Sequence, residues 1–217
     1  MHEALGESEL EEEEAAAEVV HVIDDDEAVR RSLALLLFSA GYAVETYSSA
    51  ESFLDALPRT ADGCAVIDVR MPGMDGLQLQ EQLSALGAHL PVVVVTGHAD
   101  IALAVRAMKA GARDFIEKPY TNERMIEAVT AALASGRLDM TRARRASEAR
   151  ARMARLSARE SAVLHELVAG RPNKLIAHAL NISPRTVEIH RANMMEKLGV
   201  RSLSGAVRTF IAAGYDG

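Results

Sequence analysis

The chain has 217 residues, 49% of them hydrophobic, a formal net charge of −7, no Trp and one Cys. That length accommodates one or two domains of about 150 residues each, and no apolar run approaches the roughly 18 residues of a membrane-spanning helix. The Glu-rich opening is unlike a signal peptide, and the single Cys64, set in an apolar run, argues against a disulfide framework and for a reducing cytoplasm.

The net charge conceals a division. Residues 1–136 hold 9 Lys+Arg against 24 Asp+Glu, whereas residues 137–217 hold 15 against 7. Such asymmetry predicts two domains with different partners, the basic one a candidate for nucleic acid.

Residues 1–18, with Glu11 to Glu14 in succession, lack apolar periodicity and read as a solvated, disordered lead. From Val19 strand and helix signals alternate. Val19 to Ile23 is a short apolar run, as in a strand buried on both faces, and it ends in Asp24-Asp25-Asp26. Glu27 to Ala40 is an amphipathic helix with Val29, Leu33, Leu36 and Leu37 on one side, closed by Gly41. A strand over Ala43 to Tyr47 and a helix over Ala50 to Leu57 follow, the latter stopped before Pro58. Strands over Gly63 to Asp68, Pro91 to Thr96 and Asp114 to Lys118 alternate with helices over Leu77 to Leu86, Ile101 to Ala110 and Glu123 to Leu133. Five β/α units predict an α/β domain over 19–136, a parallel sheet with helices on both faces.

Residues 137–156 change character. Arg137, Arg142, Arg144, Arg145, Arg150, Arg152 and Arg155 stand among Ala and Ser without an apolar stripe, so the stretch reads as an exposed, partly helical linker. An all-α domain of four helices then occupies 157–217. Ser157 and Glu160 have capping-box spacing, the second helix runs from Asn173 to Leu180, and Ser183-Pro184 opens a third that reaches Leu198. Ser202 opens the fourth.

The strand ends collect chemistry. The first delivers Asp24 and Asp25, the third Asp68, the fourth Thr96 and the fifth Lys118. In strand order 2-1-3-4-5 the first and third strands are neighbours, and ligands bind beside them at the carboxyl edge. Each residue alone has a plainer explanation, since acidic residues cap helices, Thr can end a strand and Lys can be surface charge. Jointly, crowded carboxylates demand a cation, and with no His/Cys cluster a hard ion such as Mg2+ (or Mn2+) fits. A Lys and a hydroxyl beside it would hold a transferring phosphoryl group, with ionised Asp68 attacking phosphorus to give an acyl phosphate.

On these residues the region 19–136 resembles the receiver domain of two-component response regulators. The likeness rests on Asp24-Asp25, on Asp68 followed by Met71-Pro72-Gly73-Met74-Asp75-Gly76, on Thr96-Gly97, and on Phe115-Ile116-Glu117-Lys118-Pro119. It implies a flavodoxin-like fold in which Asp68 is the phospho-acceptor, and Asp24, Asp25, Asp68 and the Arg70 carbonyl hold Mg2+. It further implies that Thr96 and Phe115 form a switch pair, that Lys118 binds phosphate and that the Lys118-Pro119 bond is cis. Phe115 stands where Tyr is commoner in that family. Arg70 and His98, two residues beyond Asp68 and Thr96, would flank the water that hydrolyses the acyl phosphate. Ile101, Val105, Arg106 and Lys109 beside Asp114 mix apolar and opposite charges, as a self-pairing dimer face would.

In the third C-terminal helix Val187, His190, Met194 and Leu198 recur at core spacing. The opposite face carries Arg185, Ile189, Ala192 and Glu196, flanked by Glu188 and Arg191. On a helix in the major groove, small apolar groups touch thymine methyls and Glu accepts from cytosine N4. Lys174, Arg185, Arg191 and Arg201 would instead meet phosphates and set register. Leu156-Ser157, Arg159-Glu160, Asn173-Lys174, Ile176-Ala177, the run Ile182 to Asn193 and Lys197-Leu198 resemble the LuxR-type helix-turn-helix, and the stretches Met108-Lys109-Ala110-Gly111-Ala112 and Ser183 to Met194 look nearest the FixJ subgroup. That likeness adds Thr186 to the DNA-binding set.

The expectation is a cytoplasmic transcription factor phosphorylated by a sensor histidine kinase. It would dimerise, bind paired half-sites in duplex DNA and work with RNA polymerase, with no enzymatic activity beyond phosphorylation and dephosphorylation of its own Asp68. A phosphatase of the haloacid dehalogenase type would need a second Asp at position 70, where Arg70 stands. A phosphorylation-independent DNA-binding protein with a vestigial receiver is opposed by the complete set Asp24, Asp25, Asp68, Thr96 and Lys118.

Overall fold

The computed structural model describes residues 18–57, 63–88, 90–97 and 101–215. The acidic lead before residue 18, Pro58 and His98 therefore lie outside the described residues. By contact density the chain divides after Asp139 into two compact units.

The first unit alternates β1 (Val19–Ile23), α1 (Glu27–Ser39), β2 (Ala43–Tyr47), α2 (Ala50–Ala56), β3 (Cys64–Asp68), α3 (Gly76–Ala85), β4 (Val92–Thr96), α4 (Ile101–Lys109), β5 (Asp114–Glu117) and the start of α5 (Asn122–Met153). The five strands are parallel in the order β2-β1-β3-β4-β5, as the alternation predicts. β3 and β4 are buried along their whole length, which is why both read as unbroken apolar runs up to their last residues.

Strand pleating assigns successive side chains to opposite faces. Ala65, Ile67, Val92 and Val94 join Phe53 of α2, Leu79 and Leu83 of α3 and Ala107 of α4 in one core layer. Cys64, Val66, Val93 and Val95 join Leu33 and Leu37 of α1 and Met125 and Val129 of α5 in the other. Cys64 is thus a core residue, and burial pushes its thiol up to about 12. Each fully buried aliphatic side chain stabilises the fold by roughly 1.5–3 kcal/mol. Local signals fix the helix starts: Asp26 accepts from the Ala28 and Val29 N–H groups at 2.8 and 3.3 Å, and Asp75 caps α3 reciprocally with Gln78.

α5 departs from expectation. It continues to Met153 over 32 residues, so nearly all of the stretch expected as a partly helical linker is helix. Most of that stretch is exposed, yet Ala149 and Met153 are buried in the second core. Ala, Arg, Glu and Met are strong helix formers even without an apolar stripe.

The second unit adds α6 (Ala158–Val168), α7 (Asn173–Ala179), α8 (Pro184–Leu198) and α9 (Leu203–Ala212). Val163, Leu164, Ile176, Val187, Met194, Leu198 and Phe210 fill its core. The capping box at α6 forms as read, with the Ser157 N–H donating to Glu160 at 2.7 Å, and the same carboxylate accepts from Lys197 at 2.6 Å. No helix among the described residues is long and apolar enough to cross a membrane.

Candidate functional site

Register brings four side chains to one edge of the sheet. Ile23 pairs with Ile67, so Asp24 and Asp68 leave adjacent strands together, while Asp68 pairs with Val95 and Thr96 with Glu117, next to Lys118. Asp24 and Asp68 are only 3% and 7% exposed. Two carboxylates so buried need compensation, and Lys118 Nζ donates to Asp24 Oδ2 at 2.8 Å and to Asp68 Oδ1 at 2.7 Å. The remaining oxygens accept backbone N–H groups, Asp24 Oδ1 from Asp26 at 2.9 Å and Asp68 Oδ2 from Arg70 at 2.6 Å.

The charge states follow from this wiring. Burial, the largest effect, pushes Asp68 above the ordinary carboxylate range, and the Lys118 hydrogen bond offsets only part of that. Burial pulls Lys118 down, but its hydrogen bonds and charge attraction to Asp24 and Asp68 win, holding the ammonium above the ordinary lysine value. The arrangement sets a desolvated carboxylate beside an ammonium whose charge the two acidic partners favour.

Thr96 is fully buried, and its carbonyl accepts the Lys118 N–H at 2.8 Å, which seats the end of β5 against β4. Phe115 is half-buried against the core layer that contains Ile67 and Val94. The Lys118-Pro119 bond is cis. Arg70 is exposed.

Asp25 is exposed, and no three His, Cys, Asp or Glu side chains among the described residues are grouped to hold a metal. The donor chemistry still suits Mg2+ or Mn2+: hard carboxylate oxygens, each accepting a single hydrogen bond, with the backbone of Arg70 alongside and no soft ligand.

Two contacts escaped the sequence reading. Arg30 of α1 donates to the Asp24 carbonyl at 2.7 Å, and Glu51 of α2 accepts the Met74 N–H at 3.1 Å. Arg30 follows Asp24 at a helical distance from an N-cap, a weak signal. Nothing in the spacing of Glu51 and Met74 announces their meeting.

Of the expected dimer face, Ile101, Val105, Arg106 and Lys109 are exposed. Asp114 accepts from Arg124 at 2.7 and 2.8 Å, and Arg106 lies 3.9 Å from Glu81.

In the second unit α8 presents the expected face. Arg185, Glu188, Ile189 and Ala192 are exposed, as are Lys174 on α7 and Arg201 after α8, whereas Val187, Met194 and Leu198 point into the core. His190 is half-buried rather than a full core residue. Two members of the set have structural duties. Thr186 takes part in the N-cap, its N–H donating to Ser183 Oγ at 3.1 Å, and Arg191 donates to Asn173 Oδ1 at 2.7 Å, tying α8 to α7.

Comparison with known proteins bears on both units. Residues 20–130 match the response regulator receiver domain, and residues 154–210 match the bacterial regulatory proteins of the luxR family. The chain is 53% identical over 199 residues to the transcriptional regulatory protein FixJ of Azorhizobium caulinodans, covering 90% of this chain and 92% of that one. The structure of the response regulator StyR superposes with a TM-score of 0.78 at 41% identity, covering 90% of this chain and 99% of that one. Full-length FixJ from B. japonicum superposes with a TM-score of 0.57 at 46% identity, covering 91% and 97%.

Proposed function

Because the chain belongs to the response regulators that join a receiver to a LuxR-type DNA-binding domain and regulate transcription in dependence on phosphorylation, we propose that Asp68 is the residue through which the signal enters. The observation that carries this reading is the pair of Lys118 hydrogen bonds to the buried Asp68 and Asp24. A sensor histidine kinase would present its phosphoryl group at the carboxyl edge of the sheet. An Asp68 carboxylate oxygen forms the new bond to phosphorus as the bond to the donor breaks, and the donor leaves with its electron pair. Lys118 then holds the phosphoryl oxygens in place of the lost carboxylate charge, and Thr96 supplies a hydroxyl for them.

Asp24, Asp25, Asp68 and the Arg70 carbonyl would hold a Mg2+ ion. When bound, that ion neutralises charge on the transferring group. The switched pair Thr96 and Phe115 would report the modification to the α4–β5 face, which dimerises. On α8, Glu188, Ile189 and Ala192 would meet base edges while Lys174, Arg185, Thr186, Arg191 and Arg201 meet the backbone. RNA polymerase is the partner that transcription regulation requires.

The test is chemical. In Mg2+ with a small-molecule phosphodonor, the intact protein gains one phosphate that alkali removes, and Asp68→Ala gains none. Full incorporation in Asp68→Ala would refute the assignment.

A further inference from the structure

The loop between β3 and α3 carries the backbone of Arg70 past the carboxylates and is secured at several points. The Gly76 N–H donates to the Val69 carbonyl at 3.0 Å, and the Asp75 N–H donates to Gln78 Oε1 at 3.0 Å. Both of these fasten the loop to itself or to the helix it enters. Glu51 comes from elsewhere. It stands in the first turn of α2, 23 positions before the Met74 whose N–H it accepts at 3.1 Å. α2 is a firm base for that contact, since Ala50 and Phe53 are fully buried.

The loop is shaped to meet this carboxylate. Gly73 has φ +79, and a Cβ there would stand 2.9 Å from Glu51 Oε1. Glycine therefore both supplies the left-handed backbone and leaves room for the carboxylate. Hydrogen bonds from its own N–H, from the Met74 N–H and from Ser49 hold Glu51 below the usual carboxylate range, so it is an anion at neutral pH. A charged acceptor makes the stronger hydrogen bond.

We propose that Glu51 is a positioning residue of the acidic pocket: by holding Met74 it fixes the β3–α3 loop, and with it the Arg70 carbonyl, so that a divalent cation meets a preformed set of oxygens. The inference rests on the reading of the pocket as a Mg2+-dependent phosphorylation site. Glu51 touches neither the cation nor the phosphoryl group. It acts through the backbone, and its loss lets the loop sample geometries in which the carbonyl is misplaced.

The experiment compares full-length wild type, Glu51→Ala and Glu51→Gln by calorimetric titration with MgCl2 at fixed ionic strength. Amide hydrogen exchange at Met74 and Arg70 is followed by NMR in the metal-free proteins. Glu51→Ala should weaken Mg2+ binding roughly three- to tenfold, at or below the low end for groups that orient metal ligands, and should speed exchange at Met74. Glu51→Gln keeps an oxygen that can accept the same N–H, so it should restore affinity to within about twofold of wild type. Melting temperatures should agree among the three, because the site is on the surface.

Unchanged Mg2+ affinity in Glu51→Ala overturns the inference while leaving the pocket's function intact. A Glu51→Gln variant as weak as Glu51→Ala also overturns it, because charge rather than the hydrogen bond would then be at work. Wild type that takes up no Mg2+ overturns the inference together with the reading of the pocket.

Discussion

Lys118 is the charge on which the acidic pocket depends. It donates to both buried carboxylates, so Lys118→Ala leaves Asp24 and Asp68 with backbone donors alone. Breaking a buried pair is strongly destabilising, but Lys118 is 26% exposed, so a loss of about 1–3 kcal/mol is expected. Thermal melts in chelator should show that loss, and Mg2+ should restore more stability to the variant than it adds to wild type; equal gains would contradict the shared cation site. Arg70 makes a kinetic prediction. An exposed side chain two residues beyond the acceptor would obstruct in-line attack by water, in which case Arg70→Ala should shorten the acyl-phosphate lifetime by up to about tenfold, some 1.4 kcal/mol of barrier. An unchanged dephosphorylation rate rejects that role. The residues that end strands were legible, because a polar residue closing an apolar run has few other places to go. Glu51 and Arg30 were not, since their contacts depend on how loops fold back.

Elements followed the sequence where apolar periodicity was strong and failed where propensity acted alone. The strands and the helices α1, α3, α6 and α8 start and end within a few residues of expectation, each marked by a cap or turn residue. The second half of α5 offered only helix-forming residues, and its two buried contacts, Ala149 and Met153, are too few to make a stripe. At α6 the Glu160 carboxylate is held below its usual range, first by Lys197 and then by the Ser157 N–H. A depressed folded value stabilises the fold above the unfolded value of about 4.3 and ceases to do so as pH falls through the folded value below it. Wild type should therefore exceed Glu160→Gln by about 1 kcal/mol at neutral pH, with the difference closing below roughly pH 4; a gap independent of pH would contradict the ionic origin. On α7 and α8 the division of labour is also measurable. Lys174→Ala should weaken all duplexes alike and lower the salt slope by about one, whereas Glu188→Ala should relax preference at one base pair by about 1–3 kcal/mol. Binding isotherms across operator variants and salt concentrations separate the two.

For the molecule as a whole, the question is how one phosphate alters affinity for DNA. Dimerisation through Ile101, Val105, Arg106 and Lys109 would place two α8 helices on half-sites about 34–36 Å apart. Asp114 is engaged by Arg124 within the protomer, so a dimer that uses Asp114 must share or exchange that partner. Sedimentation with a beryllofluoride phosphate mimic should show wild type dimerising and Arg106→Glu remaining monomeric; a variant that pairs as well as wild type removes the face from the mechanism. The phosphate can shift the balance only by its differential affinity for the two states, typically about 1–3 kcal/mol or 5–150-fold. The most direct measurement is the affinity of the full-length protein for a duplex selected from a random pool, before and after treatment with Mg2+ and a small phosphodonor. Wild type should tighten at least about fivefold while Asp68→Ala stays at the untreated value. Equal affinities for wild type with and without phosphate, or tightening in Asp68→Ala, would contradict Asp68 as the point where the signal enters.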